Sequence, residues 1–526
     1  MPKKQVILGL SVVAALTTAV LIPRAYAEPE GEGPFIGAPA GEPGGEPGAS
    51  ISHTSVMTFG EDATTDGETY ESTGDSENAI LVAEGVINLA NPTIKKTGSS
   101  EGDGADFYGT NAAVVTLGGT LNITGGSITT DGVHANAVFA YGNSIANVSN
   151  STITTTKDNS GAVMVAGGGT LTATYVTATT KGNSSAPIRS DRGGGTMTIE
   201  GGNYTSNGIG SPAIYSTADI SVKGATLEST ASEGIVIEGK NSVMLEKSKL
   251  VADNNKLNGQ SETYKNIFIY QSMSGDAEEG AGVFTSNNSE ITTKNGDTFF
   301  VTNTNAKINL YNSVFNGTPG AFLRAQAGAW GNPGENGGNV DLSLYAQKVE
   351  GNIVLDTLSK LNMNMENDSF FKGTINHDDT AKEVNLIASD NSVVVLTGDS
   401  YVTSLVSADE DNSNIYGNGF KLFVKGEEIK TNSATPPTDR KNKTTIDTNS
   451  EETVDDFSTI GFIIAAASSF LVLVVGGLLI ANCASKCRKE GKTQKKDQKK
   501  DQKEATKQEQ TKDNTKSGQV EGPNGQ

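Results

Sequence analysis

The sequence predicts an all-β chain wound as a parallel β-helix solenoid, followed by a C-terminal transmembrane α-helix. Three observations carry that expectation. First, a short apolar strand restarts at Ile80, Val114, Val138, Val163, Ile188, Ile214, Ile235, Ile267, Phe299, Phe322 and Ile353, and Val114 to Val138 is 24 residues while Val138 to Val163 is 25. A period of that length marks a stacked repeat. Second, each unit holds two more strands, as in Thr120-Leu121-Asn122-Ile123 and again around Ile128, Ile153, Tyr204 and Leu250. Third, 526 residues with 62 Gly and 6% aromatics have too few large side chains to fill a globule. A solenoid needs only one apolar residue at every second strand position, because neighbouring coils cover it.

Residues 1–27 read as an export signal, with Lys3 and Lys4, an apolar run from Val6 to Ile22, and Ala25-Tyr26-Ala27 at the cleavage point. Residues 28–77 read as a Pro/Gly-rich spacer and N-terminal cap, and 78–430 as the β-helix with C-terminal capping strands. Loops such as Ser99–Gly104 and Trp330–Gly338 lengthen some coils without breaking the rung. Ten steps from Ile80 to Ile353 at ~4.8 Å give a rod of ~48 Å. Residues 431–456 form a polar stalk. The transmembrane helix is expected at 457–482, where Ile460 to Ala481 is 22 residues without a charge. Residues 483–526 form a basic, disordered cytoplasmic tail opening with Lys486, Arg488 and Lys489, which places the ectodomain outside the cell membrane of a single-pass surface protein.

Charge follows the same division. Of 40 basic and 61 acidic residues, 12 and 7 lie from Lys486 on and three basic ones precede residue 28, leaving 25 against 54, a net of −29 for 28–485. That part repels polyanions, so nucleic acid is not an expected partner, while an extracellular glycan or protein is. Cys483 and Cys487 are the only cysteines. The ectodomain therefore needs no disulfides, and the pair is a candidate for lipidation at the inner membrane edge.

Chemistry-bearing motifs are few. His53, His134 and His377 are far apart, with no zinc-ligand spacing, and no Gly-x-Ser-x-Gly elbow or phosphate loop occurs. Asp131-Gly132, Asp103-Gly104 and Asp276 offer turn carboxylates for calcium, but the Gly-Gly-x-Gly-x-Asp repeat is absent, and no cofactor is expected. A file of Thr129, Thr154, Thr177 and Thr205 is expected on the third strand; Thr is also the default polar strand former.

One face stands apart. If Val138, Ile188, Ile214 and Ile267 point inward, alternation turns Phe139, Tyr141, Arg189, Asp191, Tyr215, Glu238 and Tyr270 outward on one surface, with Arg192, Arg324 and Trp330 from loops at its edge. Phe268, Phe300, Glu233 and Lys265 fall on the same side. Aromatic rings beside carboxylates and guanidinium groups suit a sugar chain, since rings stack on pyranose C–H faces and charged groups bond hydroxyls. Aromatics sealed beneath a loop are the alternative reading of the same pattern.

Several stretches resemble a known group. Asn78–Gly98 (NAILVAEGVINLANPTIKKTG), Ser211–Val222 (SPAIYSTADISV), Ser232–Val243 (SEGIVIEGKNSV), Tyr264–Ala277 (YKNIFIYQSMSGDA), Leu396–Leu405 and Asn414–Gly426 resemble exported right-handed parallel β-helix surface proteins of Gram-positive anaerobes, within the pectin-lyase-like superfamily. The resemblance spans about Asn78 to Gly426 and implies a right-handed coil and an adhesin-like surface role, with no assigned activity. The expected function is non-catalytic binding of a glycan or protein along the face just described. Two alternatives stay open: a polysaccharide lyase or hydrolase using Arg189, Asp191, Arg192, Glu233 and Glu238, and a passive structural envelope protein.

Overall fold

The computed structural model describes residues 52–440, apart from 103, 260 and 390. They form a parallel β-solenoid of about 15 turns, of the right-handed type. Three sheets run along it, with 12, 14 and 10 strands. At ~4.8 Å per coil the 14-stranded sheet is ~62 Å long. In the first sheet Ile80 pairs with Val114 and Val114 with Val138, and the file continues through Val163, Ile188, Ile214, Ile235, Ile267 and Phe299. It then takes Leu323, not Phe322, before Ile353. Phe322 and Leu323 both touch the core, as do Ala137 and Val138, because two successive residues face inward where the chain turns into this sheet. Alternation alone could not choose between them.

Winding starts earlier than Asn78. Strand Thr54–Phe59 pairs with Glu77–Val82, and Ala63–Asp66 and Thr69–Ser72 complete a coil within the stretch expected as spacer and cap. Its inward positions include Thr65 and Ser72, so its apolar signal is faint. At the far end Leu422–Val424 pairs with Glu427–Ile429, the one antiparallel pair among the described residues. Residues 431–440, expected as stalk, pack back on the coils: Arg440 donates to Asn312 at 3.0 Å, and Asp439 lies 3.9 Å from Lys348.

Among the described residues the one helix is Gly104–Tyr108, and no helix is long and apolar enough to cross a membrane. The expected signal at 1–27, residues 28–51 of the spacer and cap, residues 441–456, the membrane helix at 457–482 and the tail at 483–526 lie outside the described residues.

The corner that follows each strand of the second sheet is sharp because one or two residues there are left-handed: Asn91, Asn150, Tyr175, Lys247, Asn288, Asn312, Ala346 and the pair Asn367 and Asp368, with glycine at Gly67, Gly125, Gly126, Gly201, Gly202 and Gly224. At Gly201 the need is also steric, since a Cβ there would meet the Tyr175 ring at 2.6 Å. Side chains inside this corner bond the next coil: Ser248 N–H donates to Ser289 Oγ at 3.1 Å, Ser289 to Ser313 at 3.2 Å, and Ser313 to Gln347 Oε1 at 2.8 Å. Asparagines form an external ladder on the second sheet, with Asn147 donating to Asn122 at 2.8 Å and Asn122 to Asn88 at 2.9 Å. On the third sheet the hydroxyl file is Thr129, Thr154, Thr179 and Thr205. Thr177 belongs to the neighbouring file with Thr152 and Asn203, two residues out of the expected register.

Four long insertions flank the first sheet. Segments 97–113 and 253–264 enter it from the third sheet, and 271–280 and 326–337 leave it for the second.

Candidate functional site

The outward files of the first sheet carry the residues that alternation placed there. Val115, Phe139, Met164, Arg189, Tyr215, Val236, Phe268, Phe300 and Arg324 form one, through pairs such as Phe139 with Met164 and Phe268 with Phe300. The next outward positions hold Tyr141, Asp191, Glu238 and Tyr270, with Glu238 paired to Tyr270. The expectation of an open row is corrected by their burial: Phe139 and Glu238 are 0% exposed, Tyr270 1%, Arg189 and Tyr215 4%, and Asp191 7%. The four insertions cover them with a second layer.

At the N-terminal end the helix Gly104–Tyr108 lies over Phe139. It ends where Gly109 N–H donates to Ala105 at 2.9 Å, and Asn78 Nδ2 anchors the segment by donating to Gly109 and Ala112 carbonyls at 2.8 and 2.7 Å. A Cβ on Gly109 would meet the Phe139 ring at 2.9 Å, so the cover sits close. Tyr108 meets Tyr141 edge-on at 5.7 Å. Asp106 accepts hydrogen bonds from Asn136 at 3.2 Å and Arg189 at 3.2 Å and lies 2.7 Å from His134. Burial opposes its ionisation most strongly, but Arg189, His134 and Asn136 together outweigh it and hold its pKa below the ordinary value.

The second cover, 271–280, reaches the same coil from the opposite side. Arg192 donates to Asp276 at 2.5 and 2.9 Å while its guanidinium lies 4.0 Å from the Phe107 ring centroid. Arg192 therefore touches both covers. Beneath it Arg189 donates to Asp191 at 3.1 Å. Burial pushes Asp191 up to about 7 against the pull of Arg189, and Asp106 and Asp276 add to the rise. Glu238 accepts from Tyr215, from Tyr270 at 2.9 Å and from Ser272. Burial raises its pKa, with those three bonds opposing.

Past this clasp the face opens. A cleft of about 70 Å³ lies between 253–264 and 326–337, floored by Val236, Phe268, Tyr270 and Phe300 and walled by Trp330. Phe268 stacks on Tyr270 with centroids 4.5 Å apart, and Trp330 leans on Tyr270 at 5.2 Å. Asn336 fixes the Trp330 loop by donating to the Gly328 and Trp330 carbonyls at 2.9 and 2.7 Å. Lys265 pairs with Glu233 at 3.3 Å, both almost wholly buried, and its ammonium lies 4.6 Å from the Phe268 centroid. It also donates to Ser261 and to the Thr263 carbonyl at 3.2 Å.

Of the ten residues expected on a binding face, Tyr270 and Trp330 line this cleft, and Tyr215 and Glu238 support its floor from behind. Phe139, Tyr141, Arg189, Asp191 and Arg192 belong to the sealed end. Arg324 is half-buried and spends its guanidinium on Asp297 at 2.6 Å. Asp106, Ser272 and Gln326 were not singled out in the sequence, since they lie in or beside irregular loops with no period. Among the described residues no group of three or more His, Cys, Asp or Glu side chains is placed to hold a metal ion. No protein-family model matches the chain, and neither a curated protein nor a solved structure matches it.

Proposed function

We propose that this chain is a cell-surface, membrane-anchored, adhesin-like protein of the pectin-lyase-like type, whose solenoid presents the cleft beside Trp330 to an extracellular glycan without turning it over. The carrying observation is that a half-buried Trp330 walls a cleft floored by the nearly buried rings of Phe268, Tyr270 and Phe300, with polar groups beside it, where the rest of the first sheet's outer face is covered. A half-buried Trp over a tyrosine offers a ring face to a sugar, and the acidic ectodomain favours a neutral one. The lyase alternative asks for an accessible base, whereas Arg189 is 4% exposed and committed to Asp106 and Asp191.

A passive structural role is the second reading, favoured by the burial of Phe139, Arg189, Asp191, Tyr215 and Glu238. An array of neutral glycans probed with the full-length protein separates the two. Specific binding that Trp330→Ala reduces at least tenfold, with the thermal midpoint nearly unchanged, is expected. A blank array, or binding indifferent to Trp330, leaves the passive role.

A further inference from the structure

The cleft's polar groups are unequally available. Lys265 is saturated by Glu233, Ser261 and Thr263, so it has no proton to offer an anionic sugar. Thr302 donates to the Asn336 carbonyl at 3.4 Å. Gln326, next to Thr302 in the cleft wall, makes no side-chain hydrogen bond among the described residues. A primary carboxamide carries one acceptor and two donors, and this one stands beside an apolar floor of Val236, Phe268 and Phe300.

Resting on the glycan reading above, we propose that the cleft recognises the acetamido group of a neutral N-acetylhexosamine. Gln326 Nε2 donates to the acetamido carbonyl and Gln326 Oε1 accepts its N–H, while the methyl enters the apolar floor and the pyranose lies on Trp330. Three features select this group together. Lys265 and Glu233 offset each other while the exposed Glu262 leaves the lining with one negative charge, and this, with the surrounding net charge of −29 over 28–485, disfavours uronates, sialic acids and sulfated sugars. An amide complements a carboxamide at two points, where a hydroxyl reaches one. A cleft of about 70 Å³ has room for a substituent such as an acetamido group beneath a ring that lies across its mouth. A sugar bearing only hydroxyls would leave the apolar floor unfilled or desolvate a hydroxyl against it.

The test is titration calorimetry of the full-length protein in detergent with triacetylchitotriose and with cellotriose, neutral trisaccharides that differ only in acetamido against hydroxyl at C2. Triacetylchitotriose is expected to bind roughly tenfold more tightly or better, and Gln326→Leu, which breaks no internal hydrogen bond, is expected to erase the difference while retaining the wild-type melting profile. Equal, Trp330-dependent binding of both sugars would overturn the acetamido assignment and leave glycan binding standing. A preference that survives Gln326→Leu would overturn the role of that residue. Binding of neither sugar, with a blank neutral-glycan array, would overturn both readings, and tighter binding of a blocked dialanine amide would point to a peptide ligand instead.

Discussion

The two ends of the first sheet's outer face are built from the same files and diverge in what lies over them. Around Phe139 the helix Gly104–Tyr108 closes down, and Val115, Phe139, Met164 and Ala166 form a dry cluster. Around Phe268 and Phe300 the insertions stand apart and Trp330 edges a cleft. Strand alternation sets which way a side chain points; the insertions decide whether anything can reach it. On a solenoid the two are independent, because a loop can grow at any corner without disturbing the rung.

The largest effects are expected at the sealed end. Phe139→Ala removes a fully buried ring between the sheet and its cover and should cost about 3–5 kcal/mol in chemical denaturation, with ligand binding at Trp330 untouched. Arg189→Ala strands Asp106 and Asp191 in the interior and should cost a similar amount, about 3–5 kcal/mol. If either variant unfolds no more easily than wild type, the sealed cluster is not a structural core and the contrast between the ends fails.

A second way to sharpen the contrast is pH. Asp191 holds its proton longer folded, at about 7, than unfolded, near 3.8. Its contribution to stability is therefore full below the unfolded value and is lost as pH rises to about 7. Asp106, whose folded value is lowered, acts in the opposite sense and only as pH falls below about 4. Asp191 alone should thus lower stability by up to about 1.4 kcal/mol per pH unit between about pH 4 and 7. Asp191→Asn should remove that part of the slope, leaving what the buried Glu238 supplies. A slope unchanged in Asp191→Asn would show that the clasp does not titrate.

The smallest effect lies away from this face, in the corner that both ends share. Ala346 sits at φ 49°, which costs a non-glycine residue about 1–2 kcal/mol. Ala346→Gly, after the loss of chain entropy, should raise stability by about 0.5 kcal/mol. A lowered thermal midpoint would mean that the left-handed bend is not where strain resides.

These contrasts also mark what could be read in the sequence. The rung file was legible from Ile80 to Phe299 because an inward apolar residue repeats at nearly constant spacing. It slipped by one at Phe322 because the corner turns two residues inward, and by two at Thr177 because Thr fills both outward files of the third sheet. The direction of Phe139, Arg189 and Tyr270 was legible, while the choice between an open row and one sealed beneath loops was not. What buries them is contact between Asp106 and Arg189, 83 residues apart, and between Arg192 and Asp276, 84 apart. No local period encodes such pairs. The loops that make them are rich in Gly, Ser and Asp, which in sequence look like any solvated turn.

Hydroxyl-radical footprinting of the intact folded protein tests the division of the outer face most directly. Trp330 should be oxidised several-fold faster than Phe139 and Tyr215, which lie in the same outward file as the cleft's Phe268 but beneath the covers. Comparable oxidation of all three would mean that the covers do not hold, and that the binding face extends along the whole sheet.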